Sequence, residues 1–179
     1  MHQICMVKLL QKSAVEHLTT YRQFEARDFD SVVTIVTTDY EALYAYKRGD
    51  YQRCLQLSTQ NVHTLLDAVR MPNVMLLPDF IQLFDDEIVS VTALAVIVVP
   101  ESRKCKSEHC YISQLTLSLY LMTQCQLKLG HSVKALAQTF RYVKIAGGKI
   151  TYSENCGIDR LILKLSERKI LTYLLSPVC

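Results

Sequence analysis

The sequence predicts an all-α fold, and three observations point that way. Apolar residues recur at steps of three or four along most of the 179 residues, the period of an amphipathic helix. Gly and Pro are scarce, with five and four copies, where a β-sandwich would need turn residues at short, regular intervals. Half the residues are hydrophobic and 21% are charged, a balance that packs a core and argues against disorder. The length suits one domain, 1–179, burying about two-thirds of its unfolded surface without help from metal or disulfide.

Residues 4–25 are predicted as the first helix, with Val7, Leu10, Ala14, Leu18 and Tyr21 on one face. Asp28-Phe29-Asp30 ends it. The β-branched run 31–37 leaves a short strand open, and Thr38-x-x-Glu41 fits a capping box that would start a helix at Thr38. Val33, Val36, Tyr40 and Leu43 nevertheless keep helical spacing, so a helix over 33–48 is the reading, its first turn conceded. Gly49 supplies a left-handed stop and Asp50 a cap for the next helix. That helix presents Tyr51, Leu55, Val62, Leu65 and Val69 and ends at Pro72. With so short a link, the pair 33–70 must fold back antiparallel.

A third segment, 79–99, is an irregular helix rich in β-branched residues, and 101–110 is a polar loop. A second pair spans 111–146. Its first helix carries Ile112, Leu115, Leu119 and Met122 on one face and Leu117, Tyr120 and Leu121 on the other, so burial on both sides is expected. Gly130 stops it. The partner helix carries Val133, Leu136, Phe140 and Val143 and is expected to break at Gly147-Gly148. A last helix covers 157–175. That makes about seven helices.

The two pairs resemble each other. Tyr44–Leu55 can be laid on Cys125–Leu136, matching Gly49 with Gly130 and Cys54-Leu55 with Ala135-Leu136. A short side chain at that point lets two helix axes approach to about 8–10 Å.

On these residues the chain resembles the tetratricopeptide repeat, a helix–turn–helix unit of about 34 residues. The resemblance covers roughly 36–69 and 117–150. Small residues expected across the helix crossing fall on Ala42, Ala45 and Cys54, then on Thr123 and Ala135; the turn glycines are Gly49 and Gly130. Departures are plain. The bulky early residue of the family falls on Thr38 and Leu119, neither repeat ends in Pro, and the glycines lie 81 residues apart. The resemblance implies antiparallel helix pairs stacked as a short right-handed superhelix, gripping a peptide or partner helix in a concave groove. The groove residues it implies are Tyr40, Tyr44 and Lys47, then Tyr120, Gln124 and Lys128, with core packing the other reading for the tyrosines. The family's carboxylate clamp would need Lys and Asn where this chain has Asp39, Leu43, Tyr120 and Gln124, so a chaperone-tail ligand is not expected. An ordinary helical bundle stays open as the alternative architecture.

The formal charge of +3 comes from 20 basic and 17 acidic residues, read as interspersed. The densest basic cluster, Arg103, Lys104 and Lys106, sits beside Glu101 and Glu108, so nucleic acid is not an expected partner. Seven Cys form an odd set at irregular spacing. No export signal is legible in Met1–Leu10, so a cytoplasmic chain with reduced thiols is expected. Ile88–Val99 is far below the ~20 residues of a membrane span, and none is expected.

No chemistry-bearing motif is complete. Cys105, His109 and Cys110 fall short of four zinc ligands and suit a solvated loop. Ala146-Gly147-Gly148-Lys149 lacks the phosphate-loop pattern. Asp85-Asp86-Glu87 fan out around a helix and suit a solvated face. The terminus Ser176–Cys179 lacks the cysteine position of a prenylation signal. The expectation is a protein–protein interaction scaffold with no catalytic residue, metal or cofactor, self-association remaining open. A terminal helical part of a larger multidomain protein and an all-α enzyme are the alternatives.

Overall fold

The chain is seen in a computed structural model that describes residues 31–67, 73–76, 88, 90, 110–150 and 156–176. Five helices dominate: α1 (Ser31–Lys47) and α2 (Tyr51–Asp67), then, after a short antiparallel ladder of β1 (Asn73–Leu76) and β2 (Cys110–Ser113), α3 (Gln114–Lys128), α4 (Val133–Ile150) and α5 (Cys156–Leu175). The expected all-α class holds apart from that two-stranded ladder. The predicted helix 4–25 lies outside the described residues, as does 79–99 except for Ile88 and Ser90, both helical.

The run 31–37 is helical, so neither a strand nor a helix start at Thr38 is formed. Thr38 is buried within α1, where packing outweighs β-branched propensity. The helix expected from 111 begins instead at Gln114. Cys110–Ser113 pairs with Asn73–Leu76 in the register Val74↔Ile112. Ser113, in extended geometry at φ −69 and ψ 142, is the helix cap. Its hydroxyl accepts the Thr116 N–H at 3.2 Å.

The hinges follow from glycine stereochemistry. Gly49 has φ 80 and Gly130 φ 63. In each, the glycine N–H bonds three residues back (to Tyr46 and to Leu127). The next N–H bonds five back, Asp50 to Ala45 at 2.9 Å and His131 to Gln126 at 3.0 Å. This is the Schellman closure of a helix end. Asp50 caps α2 through the Arg53 N–H at 3.1 Å, and Ser132 caps α4 through the Ala135 N–H at 3.4 Å. The second link is one residue longer. Counted from the caps, Cys54 therefore corresponds to Leu136, and both are fully buried. Ala135, laid on Cys54 in the sequence, is only half-buried. Its expected place at the helix crossing is corrected by that extra residue. Ala42, Ala45 and Thr123 are buried as expected.

Gly147 and Gly148 do not break α4, which continues to Ile150. Glycine in a helix costs only ~1 kcal/mol relative to Ala, and neither residue has positive φ.

Residues 114–126 of α3 are all buried, so the expectation of burial on both sides is met. It packs on α1 and α2, on α4 and on α5, while α1 packs on α2 and α4 on α5. Leu115, Leu117, Leu119 and Leu121 are completely buried in one core with Leu43, Leu65 and Ile162.

In chemical denaturation, Leu119→Ala is expected to lose ~2–5 kcal/mol. Gly49→Ala and Gly130→Ala each place a Cβ at positive φ and should lose ~1–2 kcal/mol. Gly148→Ala, helical with nothing within 4 Å of an added Cβ, should gain ~0.4–1 kcal/mol.

Candidate interaction surface

The residues expected to line a groove separate into two groups. Tyr40 and Tyr44 are half-buried on α1, and Lys47 is exposed at its end, where Arg48 donates to the Tyr44 hydroxyl at 3.2 Å. Lys128 is exposed at the end of α3. Tyr120 and Gln124 are not surface residues. They are 0% and 5% exposed, because helices pack on α3 from both sides and leave its middle no open face. Their expected role in a groove is thus corrected to core packing. The four remaining side chains all belong to first helices of the two hairpins and, Tyr40 apart, lie near the ends that lead into the glycine hinges.

Beneath this surface lies a buried polar cluster. Asp39 of α1 accepts at Oδ1 from Asn61 Nδ2 of α2 at 2.7 Å and from Ser118 Oγ of α3 at 2.9 Å. Its Oδ2 is buried with no hydrogen-bond partner. Burial pushes the carboxyl up to about 7, opposed by the bonds from Ser118 and Asn61. The neighbouring Tyr40 phenol is raised as well, by burial and then by the Asp39 charge. One turn before Ser118, Gln114 is also buried, with neither amide atom bonded. Asp39 joins three helices at one point and is 1% exposed. It acts as an internal staple.

Two further clusters tie the other helices to α3. Asp159 of α5 accepts from the Ser113 N–H at 2.9 Å and the Ser113 hydroxyl at 3.1 Å. Burial raises its carboxyl and those bonds lower it. Thr139 of α4 donates to Gln126 Oε1 at 2.8 Å. Cys54 and Cys125 are free, fully buried thiols. The adjacent Cys54 thiol, then burial, raises that of Cys125. Buried in this way, both pack as small apolar side chains.

Among the described residues no three His, Cys, Asp or Glu side chains gather to hold a metal ion, and no helix is long and apolar enough to cross a membrane. Cys105, His109, Asp85, Asp86 and Glu87 lie outside the described residues.

The structure also brings out a feature the sequence reading missed. Helices α3–α5 carry nine Lys and Arg against two acidic residues. Of those two, Asp159 is buried and Glu167 is paired with Lys144 at 2.5 Å. The signal was available: residues 1–100 hold 8 basic and 12 acidic side chains, and 101–179 hold 12 and 5. A net charge of +3 hid this asymmetry, which only a count by position reveals.

Asp39 generates a pH dependence. Between about 4, its ordinary value, and about 7, the folded chain keeps a proton that the unfolded chain has released. Stability is therefore highest on the acid side of that window, falls as pH rises through it, and levels off above about 7. Asp39→Asn should flatten this slope and be more stable than the parent at pH values above the window. Urea unfolding of both chains at either side of the window checks it; parallel pH profiles would remove the protonated Asp39 from the account.

No family model, curated protein or solved structure matches this chain.

Proposed function

We propose that the chain is a tetratricopeptide-like helical scaffold that binds a protein or peptide on the surface formed by the first helices of its hairpins. The observation that carries this reading is the pair of equivalent glycine hinges, Gly49 and Gly130, each closed by the same backbone bonds. The packing order supports it. Each of the two hairpins packs internally, first helix on second, and α3 also packs on α1 and α5, as successive first helices do in a stacked superhelix. Tyr40, Tyr44, Lys47 and Lys128 are the surface residues of those helices that would meet a ligand. Tyrosine brings contact area and a polar tip at small entropic cost. The three polar clusters are internal staples, so no catalytic role is assigned. The reduced, buried thiols suit an intracellular setting.

The experiment compares partners recovered on immobilised full-length chain with those on Tyr44→Ala and Lys47→Glu variants, with circular dichroism to verify folding. A loss of ~1 kcal/mol at a contact residue should cut recovery about fivefold. Equal recovery by folded variants would remove α1 from the binding surface.

A further inference from the structure

The Lys144–Glu167 ion pair joins the outer sides of α4 and α5, and helical spacing defines what flanks it. On α4, Val133, Ala137, Arg141 and Gly148 lie on the Lys144 side, at steps of three and four; all are exposed. Phe140, half-buried, carries Lys144 Nζ 5.3 Å above its ring. On α5, Arg160, Lys164, Leu171 and Leu175 lie on the Glu167 side by the same spacing and are exposed. The two rows therefore border one outward-facing furrow between the packed helices.

Only residues 151–155 link α4 to α5, so the helices run back along each other. This sorts the furrow into two ends. Gly148, Lys144, Arg160 and Lys164 gather at the end near the link, which is basic. Val133, Leu171 and Leu175 gather at the other, which is apolar and exposed by 64%, 39% and 78%.

An independent observation concerns the glycines. Gly147 and Gly148 sit in helical conformation with nothing within 4 Å of an added Cβ. Alanine would fit both positions and favour the helix, so no contact within the described chain requires a glycine there. A bare backbone at Gly148 does allow a second backbone to approach closely.

From these features we infer that the α4–α5 furrow is a docking site for an acidic amphipathic helix, with leucine-like side chains toward Leu171 and Leu175 and carboxylates toward Arg160 and Lys164. A furrow between two helices accepts a third as a rod. From Arg160 to Leu175 the row extends ~22 Å at 1.5 Å per residue, matching a partner helix of about 15 residues. Nucleic acid would satisfy the cations but leave Val133, Leu171 and Leu175 bare. A flat lipid surface would make no use of the close approach that the bare backbone at Gly148 allows. This site is separate from the α1 and α3 surface proposed above and shares with it only the expectation of a protein partner.

The test is fluorescence anisotropy with the full chain and a labelled helical peptide of about 15 residues carrying Leu at one end and Glu at the other, beside its Glu→Lys counterpart. Phosphatidylserine vesicles and a single-stranded oligonucleotide form the other arms. The Glu peptide should bind at least ~10-fold tighter than the Lys peptide, and Arg160→Glu/Lys164→Glu should reverse that preference. Gly148→Leu, at an open and exposed position, should weaken the Glu peptide ~10-fold with unfolding stability no lower than the parent's. Equal or absent binding of the two peptides, or unchanged affinity in these variants, would overturn the assignment. Binding of vesicles or oligonucleotide without peptide, lost on charge reversal, would overturn it in favour of a phosphate surface. Glu-peptide binding abolished by Tyr44→Ala and untouched by the furrow variants would also overturn it, while leaving the first-helix reading standing.

Discussion

A helix buried on every side constrains all of its neighbours, and α3 is such a helix. Residues 114–126 are all buried, so α1 and α2, α4 and α5 must all be laid against it. Burying its leucines supplies the hydrophobic drive, but it also takes Ser118, Thr123 and Gln126 out of water. Each finds a partner. Ser118 bonds Asp39 of α1, Thr123 returns to the Leu119 carbonyl at 2.8 Å, and Gln126 receives Thr139 of α4. A buried polar group left unpaired costs more than a formed bond returns, so the two pairings that cross to α1 and α4 make the interhelical register specific. The orphaned Asp39 Oδ2 and Gln114 amide are what such dense packing failed to satisfy.

The glycine hinges act on geometry more than on energy. Each reverses the chain within a link of three or four residues, 48–50 and 129–132, and hands it to a capping Asp50 or Ser132. A second helix joined by so short a link is constrained to lie back against the first. The single residue by which the two links differ turns α4 relative to α2. Leu136 rather than Ala135 then reaches the core. Local turn length, more than residue similarity, decides which side chain occupies the crossing.

Charge distribution follows from the same packing. Charged side chains are driven outward unless paired, and in α4 and α5 most of those available are basic. Asp159 is drawn inside by the Ser113 cap, and Glu167 is occupied by Lys144. What remains outside is cationic, set beside the apolar ends of α4 and α5. Lys149 reaches across to the Leu66 carbonyl of α2.

The helical class, the hinges at Gly49 and Gly130, the cap at Asp50 and the double-sided burial of α3 were legible in the sequence, because each depends on residues within one or two turns of one another. Periodicity, positive φ and capping are short-range physics. The extended start at Cys110–Ser113 was not legible, since its reason lies far away in sequence, in the pairing with Asn73–Leu76. Nor was the fate of Tyr120 and Gln124. The repeat resemblance implied a first-helix groove for them, and the arrival of neighbouring helices on both sides of α3 put them in the core. The Asp39–Asn61–Ser118 staple, built from three polar residues that look like surface positions in isolation, is likewise a product of three helices meeting. Sequence determined the rods and where they bend, because local sterics and hydrogen bonding suffice for that. Tertiary structure decided which faces are inside, because burial depends on what else arrives.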